Sequence, residues 1–294
     1  MVTVLVQLLL YATASAYLAA FVLFLFYLTG HGRAATAQRL AVALVGLGAA
    51  MHASHIVLAS LVLHICPIKG IHFALSVVSM LACASFVVMR MRYKIDSLGV
   101  IVAPLALTFL VGSQAAHADA SAAGRLKSAV LPIHILANLF GEALFVLAFA
   151  AAVAYLFAEK QLKKKKVGGV LQRLPPLDVL DRAEHAFLLA GFPMLTVGII
   201  TGAMWAERVE SGSTVDLWRS LFGYATWALF AAVLLLRAAR GWRGRRAAYG
   251  TIAGFAFAMV VLVMYLVRSF GEPSAAQSGA GVSEAALSQG ERSP

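Results

Sequence analysis

The sequence predicts an all-α fold, a polytopic membrane helical bundle of about eight transmembrane helices with both termini outside. Three observations predict it. Of the 294 residues, 61% are hydrophobic and only 13% charged, where a soluble domain carries roughly 25% charged residues. The apolar residues gather in eight long runs, and a spanning helix needs about 20 mostly apolar residues. The basic residues fall between those runs, unequally on the two sides. Helices are preferred to strands because every backbone group must be paired within the bilayer, and the runs are too long for barrel strands.

The first run, 4–28, contains "YATASA", which resembles a signal-peptide cleavage region. It has no basic n-region, and its apolar stretch exceeds the ~7–15 residues of an h-region, so it is read as an uncleaved span. The second and third runs, 40–65 and 72–89, flank the short outside loop "PIKG". The fourth, 97–115, contains Pro104. The fifth, 131–158, has no Lys or Arg and is the longest. Before the sixth, 184–205, "LPPLDVLDRAEH" predicts a short extended piece and then an interfacial turn of helix, because Pro175 and Pro176 must precede a helix. The seventh and eighth, 217–237 and 248–268, are joined by "RAARGWRGRR". Residues 1–270 thus form a single eight-helix membrane domain, and the Gly, Ser, Ala and Glu-rich tail 271–294 is expected to be disordered.

Orientation follows from charge. The loops after the first, third, fifth and seventh runs hold 17 of the 24 Lys and Arg residues, including Lys160, Lys163 to Lys166, Arg173 and Arg182. The positive-inside rule makes that side cytoplasmic. The net charge of +11 therefore reports topology, and no nucleic-acid partner is expected. The lysine-rich loop also has the composition to attract acidic lipid. Cys66 and Cys83 fall at different depths and read as apolar thiols rather than a disulfide.

Polar groups inside the spans mark the candidate site. His52 and His55 lie about 60° apart on one helix face. His64 ends that helix at the outer side, His72 begins the next, and His134 lies in the first turn of the fifth. Depth matches His134 better to His64 or His72 than to His55, which lies roughly 15 Å from its helix's outer end. Asn138 shares the face of His134 at i, i+4, while Glu142 sits near mid-membrane, some 80° round. An intramembrane carboxylate costs several kcal/mol. Glu142 is thus either protonated and hydrogen-bonded to a neighbouring helix, or takes a proton or ligand role. Any single histidine is equally a packing residue or a ligand; several on one side favour a bound metal or haem.

Together, "RLPPLDVLDRAEHAFLLAGFPMLTVGIITGAMWAE", "GWRGRRAAYGTIAGF" and the helix "LPIHILANLFGEALFVLAFAAAVAYLFAEKQLKKK" resemble the cytochrome c assembly membrane family of CcsA, CcmC and HemX-like proteins. The resemblance covers most of the chain. It implies haem as cofactor, handled at or across a bacterial inner membrane. It places His134 at a family histidine and likens His55 to the histidine of the second span. The chain departs from haem-handling members in three places. The loop with Trp205, Asp216 and Trp218 lacks the Trp-rich "WGxYWxWDPKE" platform, Leu235 stands at a membrane-histidine position, and "MYLVRSFGEPS" has no outside histidine. These departures resemble the HemX-type branch.

The expectation is a haem-binding or haem-handling accessory protein of cytochrome c biogenesis, without catalysis of its own. His134 would be an axial ligand of haem iron, opposite His72, His64 or His55, with Asn138 orienting it. The bilayer and a cytochrome c maturation partner or a haem-synthesis enzyme are the expected partners. A HemX-type regulator of haem biosynthesis is the alternative. A small-solute transporter, suggested by Glu142 and by Pro104 and Pro193 as helix breakers, stands behind both.

Overall fold

The computed structural model describes residues 2–30, 34–62, 71–115, 130–165, 168–206 and 214–271. Among them are eight α-helices: α1 (Val2–Thr29), α2 (Ala34–Val62), α3 (Ile71–Tyr93), α4 (Gly99–Ala115), α5 (Val130–Lys163), α6 (Leu177–Ala206), α7 (Thr214–Arg240) and α8 (Arg245–Gly271). All eight are long and apolar enough to cross a membrane. No strand occurs among the described residues. His64, Cys66 and the tail beyond Gly271 lie outside them, as does the outer loop before α7.

The helices exceed the apolar runs because their polar ends continue into the interface. The largest difference is in α6. Its first two turns, "LDVLDRA", are no separate interfacial element: the helix runs unbroken from Leu177. A 3-10 turn over Gly169–Arg173 and an extended Leu174 lead into it. Nor do the prolines break their helices, since α4 continues through Pro104 and α6 through Pro193. The discontinuous helices that the two prolines suggested are therefore not formed at those positions. Gly241, at φ +65°, stops α7 in a conformation that residues with a side chain rarely adopt.

α5 is the central helix, packing on α6 most extensively and also on α3, α4 and α8. α1 pairs with α2, α3 with α4 and α7 with α8. Lipid tails are as apolar as leucine, so close backbone approach must supply much of the association. The sequence provides it by opposing glycine to a bulky ring. A Cβ on Gly48 of α2 would lie 2.7 Å from the Tyr17 ring of α1, and one on Gly254 of α8 would lie 2.4 Å from Phe230 of α7.

The Lys/Arg-rich ends of the helices are tied together. Gln38 donates to Asp96 (2.7 Å), which also pairs with Arg90. Tyr27 donates to the Arg173 carbonyl (3.2 Å), while the Arg173 guanidinium donates back to the Tyr27 carbonyl and lies over its ring. That clasp holds the loop after α5 against the end of α1. By the positive-inside rule the opposite ends of the helices face outward.

Candidate functional site

The side chains of α5 spaced at i, i+4 from His134 meet a row of small residues on α6. His134 faces Gly202, Asn138 faces Gly198, and Phe145 lies against Gly191. Any side chain at those three glycines would collide, the nearest atoms lying 2.4–2.8 Å from the position of a Cβ. The approach lets His134 Nδ1 come within 2.8 Å of the Gly198 carbonyl. A carbonyl only accepts, so Nδ1 carries the proton. Nε2 is therefore left with its lone pair. Thr201 Oγ1 lies 3.3 Å from the same Nδ1 and itself donates to the Val197 carbonyl (2.6 Å).

Asn138 meets the imidazole from its face. Its Nδ2 donates to the His134 carbonyl (2.7 Å) and lies 3.3 and 3.4 Å from the two ring nitrogens. Near-equal distances of that size place the amide over the ring face, because an in-plane position would collide with Cε1. Asn138 thus buttresses the ring plane without capping the Nε2 lone pair.

The other candidate histidines are distributed. His55 donates its Nδ1–H to the Val6 carbonyl of α1 (2.9 Å), which also leaves its Nε2 free. Its ring neighbour is His52, with centroids 6.4 Å apart. His52 is the fully buried member of that pair, and the one that sequence reasoning passed over. It is held between Ser76 of α3 (2.8 Å) and Tyr17 of α1 (3.4 Å). His72 begins α3 with its Nδ1 buried and, among the described residues, without a hydrogen-bond partner. α2 and α5 each pack on α3, the helix that carries His72. Hence the structure brings His134 together with Asn138, and His55 together with His52. Among the described residues no group of three or more His, Cys, Asp or Glu could hold a metal ion.

Among the described residues, Glu142 Oε1 is buried without a hydrogen-bond partner.

A second polar cluster lies at the inner end of α6, where the sequence showed only topology charges. Asp181 accepts both arms of the Arg237 guanidinium (3.0 and 2.6 Å) and the backbone N–H of Gly244 (2.7 Å). The two side chains are only 11% and 8% exposed. The fork geometry satisfies both carboxylate oxygens, and the carboxylate sits at the N-terminus of α8, where the helix dipole favours it. One turn further, Glu184 accepts from Thr251 of α8 (2.6 Å). The signal that could have found this lock is the pair of motifs "LDRAEH" and "GWRGRRAAYGT", which the fold places side by side.

The family model described as cytochrome c assembly protein matches residues 67–273. The cytochrome c biogenesis protein CcsA of Synechococcus sp. (strain JA-3-3Ab) is 40% identical over 102 residues, which are 34% of this chain and 28% of that protein. The CcsA protein of Gloeothece citriformis (strain PCC 7424) is 41% identical over 98 residues, 33% of this chain and 28% of that protein. The match thus spans little more than a quarter of the length of these curated relatives.

Proposed function

The chain belongs to the cytochrome c assembly protein family, and from that premise we propose that it is a haem-binding or haem-handling accessory protein of cytochrome c biogenesis in a bacterial inner membrane. His134 would hold the haem iron at the outer side. One observation carries the assignment: the Nδ1–H of His134 is spent on the Gly198 carbonyl, so Nε2 is the nitrogen presented. Metal-binding histidines characteristically donate their other N–H to a carbonyl or carboxylate, which fixes tautomer and ring orientation. Haem, when bound, supplies an iron whose axial positions imidazole nitrogens fill.

The chain's own residues do the rest. Gly202 makes room for the imidazole and Gly198 for Asn138, which covers its face, while Thr201 adds a second polar contact at Nδ1. His72 would be a better second residue to hold the haem than His55. It starts α3 at the outer side, as His134 starts α5, and α3 packs on α5. His55 is turned to α1 through the Val6 carbonyl.

The test is spectroscopic. Protein purified from cells with ample haem should show a Soret band that His134→Ala weakens. Gly198→Ala, which pushes Asn138 from its place, should shift it. A colourless protein from the same cells would refute the ligand assignment.

A further inference from the structure

A separate surface forms at the Lys/Arg-rich end. α5 packs along α8, and a Cβ on Gly244 would fall 2.4 Å from the Tyr155 hydroxyl. The Glu159 carboxylate of α5 lies within electrostatic reach of Arg245. From Tyr155, α5 continues about 12 Å further, at 1.5 Å per residue. Lys160, Lys164 and Lys165 lie beyond that contact, while Arg243, Arg245 and Arg246 surround the start of α8. All six are exposed.

The carboxylates at this end of α5 and α6 already have partners. Glu159 accepts from Lys163 (2.6 Å), Asp178 pairs with Arg182 (2.8 Å), Asp181 is held by Arg237 and Gly244, and Glu184 is buried on Thr251. The six cations are therefore left in excess. Apolar side chains stand among them: Phe157 and Leu162 are exposed on α5, and Trp242 lies beneath the Arg246 guanidinium, 5.8 Å from its ring centre. Trp at such a level marks the membrane–water interface. Cations beside exposed apolar groups at that depth match a phosphate head joined to acyl chains. They fit an acidic protein or a nucleic acid less well, since neither carries the apolar half.

We propose that the joined ends of α5 and α8 bind the phosphate headgroup of an anionic phospholipid in the leaflet they face. Arginine forks suit phosphate oxygens, and the lysines add charge from the other helix.

The full chain would be purified in mild detergent, delipidated and titrated with phosphatidylglycerol or phosphatidylcholine in mixed micelles. Trp fluorescence and the thermal midpoint would be read. Wild-type protein should prefer phosphatidylglycerol by at least tenfold. Each surface cation near an anionic leaflet is worth about fivefold in lipid partition. The variant R243Q/R245Q/R246Q should therefore lose that preference, R243Q should lose about fivefold, and the control R39Q on α2 should keep it. Equal affinity for the two lipids, equal loss in the control, or the same response to inorganic phosphate alone would overturn the proposal. So would an acidic protein that co-purifies and displaces the lipid. The wild-type lipid comparison and R243Q decide the matter even if the triple variant does not fold.

Discussion

Gly202→Ala is the sharpest probe of the α5–α6 site. The new Cβ would lie 2.8 Å from His134 Cε1 and 3.2 Å from Nδ1. Carbon atoms rest about 3.5–4.0 Å apart, so the ring must retreat by roughly 0.7 Å. Moving away from α6 also draws Nδ1 from the Gly198 carbonyl, now 2.8 Å distant, beyond the usual N–H···O limit of about 3.2 Å. Overpacking costs about 1–3 kcal/mol, and an interhelical hydrogen bond in a membrane about 0.6 kcal/mol on average. The expected destabilisation is therefore about 2 kcal/mol. In a His134→Ala background the ring is gone, and Gly202→Ala should cost less than about 0.5 kcal/mol. Unfolding of the wild type, the two single variants and the double variant in detergent would measure the coupling, expected at about 1.5 kcal/mol or more. An equal cost with and without His134 would show that Gly202 accommodates something other than the imidazole, and the seat described above would fall.

Two further substitutions test the polar ties elsewhere. Asp181→Ala leaves Arg237 buried and unpaired, which should cost about 3–5 kcal/mol. Asp181→Asn keeps an acceptor for the Gly244 N–H and should fall between that variant and wild type, as thermal midpoints in detergent would show. Ser76→Ala strands the buried Nε2 of His52 and should cost about 1–3 kcal/mol. Tyr17→Phe breaks the longer 3.4 Å contact to Nδ1 together with the hydroxyl's contact to Cys83, and should cost about 1 kcal/mol. The reverse order would place the main partner of His52 on α1.

The eight helices were legible because each is a long apolar run, and a bilayer leaves such a run little choice but a helix. Their ends were less legible. "LDVLDRA" reads as interfacial by polarity, yet Asp181 and Glu184 are paired on α7 and α8, so the helix continues through them. Arg237 illustrates the same limit: counted among topology charges, it is one arm of a buried pair spanning 56 positions of sequence. Periodicity put His52 and His55 on a shared face but could not say which points inward, since 60° is smaller than the roughly 100° stripe by which a helix packs. At the site, the i, i+4 rule correctly joined Asn138 to His134. The group that fixes the imidazole is a backbone carbonyl on another helix, and no residue type encodes it. Only the register of α5 on α6, set by Gly191, Gly198 and Gly202, places it there.

α6 is thus held at two levels by different means, and the difference separates a structural role from a ligand role. At its inner end Asp181 and Glu184 join it to α7 and α8 through charge and short hydrogen bonds. At its outer end one imidazole and a row of glycines join it to α5. Pro193 lies between and lacks the N–H that would bind Leu189 one turn earlier, so the two ends are not linked by an unbroken hydrogen-bond ladder. A residue that only supports the bundle should lower stability while leaving the spectrum of any bound haem unchanged, and the inner lock meets that description. Residues that hold His134 should move the spectrum before they lower stability greatly. Asp181→Asn and Gly198→Ala, compared by both readouts, should therefore separate: a shifted Soret band from the first, or an unshifted one from the second, would contradict the division of α6 into a lock and a seat.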